Sequence, residues 1–275
     1  MEYRGRTQAL QGEREKKGGN RKTCFLGVDY IFFDIISFYI LLEDCMLDGN
    51  SLVEFLKERG FSTLCHVNTT ATALTFLRNG GLLSRQYVEE HPETCFQTIQ
   101  KSDAKDKEFG IFNDIFFDVM NIWENSEVCF YGPVVFEYSV DVLMGMDNVC
   151  VTRTNPQNWD SDDFYSTIDE IADEISNTWP SSKHIVLRNQ QKVDFSKISC
   201  VKFYHPIDKE ISSIFRCNRP DMALKDIEKE CKEKNIPCSI SYLSDESWKS
   251  ILGHANTVGR FYGFRMKVPI EHSTG

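Results

Sequence analysis

Residues 64–87 read LCHVNTTATALTFLRNGGLLSRQY, and the order of residue types in this stretch decides the fold. STLCHV (62–67) is a compact run of apolar and β-branched residues that reads as a short strand. It passes into Asn68, Thr69 and Thr70, whose side-chain oxygens suit a helix cap, and then into Ala73, Leu74, Phe76 and Leu77 at helical spacing. Asn79-Gly80-Gly81 ends the pattern, since glycine accepts the left-handed backbone that closes a helix. The reading is a strand, a helix over 70–79 and a hard stop. His66, Asn68 and Thr69 then lie at a strand-to-helix junction, where the first N–H groups of the helix can meet a phosphate or a carboxamide. Arg85 follows the stop, either as a cation for a ligand or as a cap on the carbonyl end of helix 70–79.

Working outward, SLVEFLKERGF (51–61) carries Leu52, Phe55 and Leu56 at helical spacing and predicts a helix over 51–59 ended by Gly60. Residues 88–110 are polar and without period, so a long loop is expected. IFNDIFFDVMNI (111–122) is apolar but interrupted by Asn113, Asp114 and Asp118. GPVVFEYSVDVL (132–143) alternates Val135, Glu137, Ser139 and Asp141 against Val134, Phe136, Tyr138 and Val140, a strand with one wet face. VCVTRTNP (149–156) is a strand stopped at Asn155-Pro156, where Asn155 is a turn residue or a ligand contact. Residues 160–178, with Phe164, Ile168, Ile171 and Ile175 on one face, predict a helix. SSKHIVLRN (181–189) and KISCVKFYH (197–205) read as strands, the first apolar enough for the centre of a sheet, with His184 and Arg188 sharing a face. A turn at CNRPD (217–221), an amphipathic helix over 221–235 and a strand over 236–243 complete the series. Strands separated by helices of unequal length point to a mixed α+β fold rather than a regular doubly wound sheet.

The totals set limits. The 275 residues, 41% of them hydrophobic, can bury a sizeable core. A net charge of −10 excludes a global basic field, so any phosphate contact must be local. Ten cysteines with no CxxC spacing read as reduced thiols; Cys217, Cys231 and Cys238 are too irregular for a metal set, and no metal site is expected. Residues 1–22 hold seven Arg/Lys against three Glu, and 25–42 are an apolar run interrupted by Asp29 and Asp34. Each aspartate costs about 2.5–3.5 kcal/mol near a bilayer centre, which argues against a membrane span. The expected division is a leader over 1–46, a core over 47–206 and a helix–strand extension over 207–275. In the extension, GRFYGFRMK (259–267) interleaves cations with aromatics, which suits base stacking or a partner-binding terminus.

From residue 51 to 204 the order of motifs resembles the DarT-like branch of ADP-ribosyltransferases, toxins that use NAD to modify nucleic acid. LCHVNTTATALTFLRNGGLLSR is similar to that family's opening strand, helix and downstream arginine. FNDIFFDVMNI stands where the family has an aromatic segment behind the nicotinamide pocket, and VVFEYSVDVL with VCVTRTNPQNW is similar to its paired strands. HIVLRNQQKVDFSKISCVKF is similar to its penultimate and final strands. The resemblance implies a split mixed sheet with flanking helices, NAD as substrate and a nucleic-acid or protein acceptor. It also implies a restraining antitoxin or chaperone protein, and the reduced thiols fit a cytoplasmic setting. It places His66, Asn68, Thr69, Arg85 and Asn155 around the dinucleotide, with Arg85 on the pyrophosphate, and gives catalytic work to Arg85, Glu137 and His184. Relatives carry a glutamate at the start of the penultimate strand; that position falls at His184, leaving Glu137, Asp114 and Asp118 as carboxylates for its role. Two other readings stay open: a non-catalytic module that keeps the NAD-shaped cleft, and a nuclease using Asp114, Asp118 and Glu137 with a divalent metal.

Overall fold

The structure is a computed structural model that describes residues 45–95, 103–124, 132–154, 163–180, 182–205 and 220–242. In chain order the elements are α1 (Gly49–Glu58), β1 (Thr63–Asn68), α2 (Thr70–Asn79), β2 (Gly81–Leu83), α3 (Arg85–Glu90), α4 (Asp103–Glu108), β3 (Ile115–Phe117) and β4 (Val134–Ser139). They continue with β5 (Val149–Val151), α5 (Ile168–Glu174), β6 (Ile185–Leu187), β7 (Lys192–Asp194), β8 (Ile198–His205), α6 (Pro220–Glu233) and β9 (Cys238–Tyr242).

The opening stretch folds as its residue types dictate. Thr69 is the N-cap of α2, its hydroxyl accepting the Thr72 N–H at 3.4 Å, and Gly80 closes the helix at φ 70°. Ala73, Phe76 and Leu77 bury one face of α2 in the common core, while Arg78 on its outer side reaches Glu230 of α6 at 3.0 Å.

One half-sheet runs β1-β4-β8-β9, antiparallel except for the parallel β8/β9 pair; a second runs β3-β6-β5, antiparallel throughout; β2 and β7 form a separate ribbon. The chain is therefore a mixed α+β fold. Among the described residues the halves share one backbone bridge, Cys65 to Asp118, closed by hydrogen bonds of 2.7 and 2.8 Å. The bridge aligns a cross-strand row: Cys200 opposite Glu137, Glu137 opposite Cys65, Cys65 opposite Asp118, Asp118 bonded to His184, and His184 bonded to Thr152. Residues directly opposite one another project from the same face of a sheet. The alternate residues, among them Phe136, Phe117, Ile185 and Val151, are fully buried on the other face.

Several expectations change. The helix expected over 160–178 begins only at Ile168, where Thr167 caps the Glu170 N–H at 3.2 Å, and ends at Glu174. Phe164 is extended instead, bridging Thr152, because Tyr165 N–H bonds Val151 C=O at 3.0 Å. Phe164, Ile171 and Ile175 are nonetheless buried. The loop expected over 88–110 contains the end of α3 and all of α4; helices of six residues are too short to show a period. The strand expected over 132–143 gives way after Ser139 to a 3-10 turn, where the Ser139 hydroxyl accepts the Asp141 N–H at 3.2 Å. β6 is central in its half-sheet, as its apolar run predicts. The leader segment 1–44, most of the CNRPD turn and the 259–267 segment lie outside the described residues. No helix among the described residues is long and apolar enough to cross a membrane.

Candidate functional site

His66 stands in the gap between the half-sheets. Its Nδ1–H donates to the Phe116 carbonyl across the split at 2.7 Å, and its Nε2 accepts from the Asn68 amide at 2.9 Å. Both ring nitrogens are thereby engaged, the ring packs against Phe76 and Phe117, and burial holds the imidazole below the usual histidine range. Asn68 ends β1 as His66's partner, and Thr69 caps α2. The three expected ligand contacts thus form one local unit. Gly132, at φ 135°, lies against it so closely that a Cβ there would stand 2.3 Å from the Asn68 carbonyl oxygen. Thr70, the first residue of α2, is buried with its hydroxyl unpartnered among the described residues.

Glu137 and His184 lie in the cross-strand row, on either side of the bridge. Glu137 is not the solvated strand residue that alternation alone suggests. Its Oε1 accepts from Lys202 Nζ at 2.7 Å and from Asn121 Nδ2 at 3.2 Å. The same lysine reaches Glu124 at 2.8 Å; burial opposes its charge, but the two carboxylates prevail and raise its pKa above the usual lysine range. Asn121 also donates to the Tyr204 hydroxyl at 2.9 Å, and Trp123 stacks on the Tyr204 ring at 5.1 Å. Burial pushes Tyr204 up to about 12.

His184 is pinned at the edge of β6. Its backbone N–H donates to the Thr152 hydroxyl at 2.9 Å and its carbonyl accepts from Thr152 N–H at 2.9 Å. Its Nδ1–H meets Asp118 Oδ1 at 2.7 Å, with 14% of the imidazole and 26% of the carboxylate side chain exposed. The Phe116 ring contacts it edge-on at 6.5 Å. Cys65 completes the row, but burial, then the Glu137 and Asp118 carboxylates, push its thiol far above the ordinary range, so it is no nucleophile.

Arg85 belongs to a different cluster. It opens α3, while the end of α2 is closed by Gly80 and by the Lys192 ammonium, 2.7 Å from the Asn79 carbonyl. Its guanidinium pairs with Asp103 of α4 and sits 5.8 Å from the centre of the Phe112 ring. Arg85 and His66 therefore touch the same segment at two points, the Phe112 ring and the Phe116 carbonyl. Arg188, grouped with His184 by spacing, is neither solvated nor open to a nucleotide: it is buried against Asp114, whose other oxygen accepts the Asn189 N–H at 2.8 Å. Asn155 lies outside the described residues. No three His, Cys, Asp or Glu residues converge as metal ligands among the described residues, and Asp114 is committed to Arg188, so the nuclease reading loses its ligand set.

Lys202, Asn121, Glu124 and Tyr204 were not singled out by sequence. One signal for two of them was present: in KISCVKFYH, Lys202 and Tyr204 alternate with Val201 and Phe203, which places them on one face together. Chemically, the row supplies a carboxylate-oriented imidazole and a second carboxylate held by lysine, on one face at the split.

No family model matches this chain, and no curated protein matches it. Among solved structures it is similar to DarT of Thermus sp. 2.9 in complex with ADP-ribosylated ssDNA, at 11% identity and TM-score 0.41, over 66% of this chain and 95% of that one. It is similar also to the same protein in complex with NAD+, at 12% identity and TM-score 0.39, over 66% and 96% of the two chains. The complex with carba-NAD+ gives 12% and 0.40, over 68% and 97%. The likeness is one of pattern.

Proposed function

We propose that this chain is an ADP-ribosyltransferase that takes NAD as substrate and transfers ADP-ribose to a nucleic-acid acceptor. The observation that carries the reading is the split itself: His66, opposite Phe136, crosses it from one face to reach Phe116, and Glu137 and His184 flank the Cys65–Asp118 bridge on the other. Breaking the bond from ribose to nicotinamide develops positive charge on the ribose, and a carboxylate on a rigid strand is suited to stabilise it. Glu137 takes that part. The junction of Asn68 and Thr69, with the first N–H groups of α2, holds the dinucleotide, and Arg85 grips its pyrophosphate after exchanging Asp103 for phosphate oxygens. The protein acts in the cytoplasm and is restrained by an antitoxin or chaperone protein.

A second reading has its own observation. With Arg85 held by Asp103 and no carboxylate at the start of β6, the cleft binds NAD without turning it over. Radiolabelled NAD incubated with the full chain and single-stranded DNA, RNA or a cell lysate separates the two. Transfer to nucleic acid, reduced at least tenfold in Arg85→Ala, supports the enzyme. Binding of NAD by calorimetry without transfer supports the module, and no binding defeats both. Transfer that survives Arg85→Ala removes the arginine from the site.

A further inference from the structure

The row across the split holds Asp118 and His184 as a bonded pair, and the role argued for them rests on the reading just proposed. We infer that Asp118 is a positioning residue that makes His184 the base that takes the acceptor's proton. Three observations converge. Asp118 Oδ1 lies 2.7 Å from His184 Nδ1, which fixes the proton on Nδ1 and leaves the lone pair of the neutral ring on Nε2. Nε2 has no hydrogen-bond partner among the described residues and is not sealed from solvent, unlike both nitrogens of His66. The pair is also rigid: Asp118 is tied by its backbone to Cys65, and His184 by its backbone to Thr152, so neither side chain needs to search for the other.

The groups around the imidazole leave this pair to act. Asp118 faces it from the end of β3, and the Cys65 thiol, next in the row on β1, stays protonated. On the β5 side stands the neutral Thr152. Lys183, beside His184 in sequence, is paired with Glu174 at 2.9 Å, and Arg153, beside Thr152, with Glu170 at 2.7 Å and Glu174 at 2.5 Å.

The step balances without a further reactant. The bond from ribose C1′ to the nicotinamide nitrogen breaks, its electron pair leaving with neutral nicotinamide. The acceptor nitrogen or oxygen bonds to C1′, and its proton passes to Nε2, giving an imidazolium that Asp118 stabilises until solvent takes the proton.

The test uses the full chain, labelled NAD and single-stranded DNA. Transfer in the unaltered protein should rise with pH and then level, as a base that must be unprotonated requires. Asp118→Asn should lower kcat by about 10²-fold or more and shift that profile, while the NAD dissociation constant stays within about threefold. His184→Gly should lose the pH dependence and recover part of its rate with added imidazole. Nitrogen NMR on the unliganded protein should show His184 protonated on Nδ1 at pH 8, and a mixture of tautomers in Asp118→Asn. If NAD binds and transfers but the two variants keep their rates or profiles, the inference is wrong and the transferase reading stands. If His184 is protonated on Nε2 in the unaltered protein, the inference is wrong whatever the activity. Absence of NAD binding removes the reading, and the inference with it.

Discussion

Two pairs, each a carboxylate with a nitrogen-bearing side chain, span the same two strands, four residues apart, and they differ in almost every physical respect. Asp114 and Arg188 are sealed, with 0% and 3% of their side chains exposed, and Asn189 N–H occupies the second carboxylate oxygen. Asp118 and His184 stand at the split with their outer atoms open. The first pair is a tie between β3 and the turn after β6: two charges taken out of water hold only while both are present. The second costs little to keep and leaves a lone pair pointing outward. Sharing a strand face therefore says little about role; exposure separates the structural pair from the one that can act.

The largest expected effect strikes the sealed pair. Arg188→Met leaves Asp114 buried without its counter-charge and should lower stability by about 3–5 kcal/mol, read from the urea unfolding midpoint. Adding Asp114→Asn, which keeps an acceptor for the Asn189 N–H, should recover most of that loss; no recovery would mean that the guanidinium packs rather than pairs. The next effect is a pH dependence. Burial outweighs Arg188 and pushes Asp114 from 3.8 up to about 6, so between these values the folded protein holds a proton that the unfolded chain releases. Its contribution to stability should therefore fall as pH rises from about 4 to 6. The difference in melting temperature between unaltered protein and Asp114→Asn, followed over that window, measures it, and a contribution that grows with pH would invert the sign. The smallest effect belongs to the open pair: Asp118→Asn should cost no more than about 1 kcal/mol, whatever it does to transfer. A loss as large as that of Arg188→Met would erase the contrast.

What was legible in the sequence was local. Thr69 as cap, Gly80 as stop and the apolar run of β6 each act through neighbours within a few residues, and each emerges where the pattern places it. What was not legible depends on distance along the chain. Phe164 fits a helical stripe with Ile168 and Ile171, yet pairing with Thr152 claims it for an extended segment, which no periodicity in 160–178 announces. Arg188 reads as a polar strand end until Asp114, 74 residues earlier, is brought against it. The candidate site has the same character. His66 and His184 were visible as residue types, whereas their different fates, one with both nitrogens engaged and one with a single nitrogen engaged, follow from Asn68, Phe116 and Asp118.

The rung between Cys65 and Asp118, the one backbone bridge between the halves among the described residues, has a mechanical consequence. Asp118 and His184 both ride on the β3-β6-β5 half, whereas Glu137 and Lys202 ride on the other. Asn121, three residues beyond Asp118, donates to Glu137, and His66 reaches the Phe116 carbonyl, so side chains tie the halves together on either side of that rung. Glu137 and His184 thus keep fixed places relative to one another, because two backbone hydrogen bonds and these side-chain links clamp the edge where the half-sheets meet.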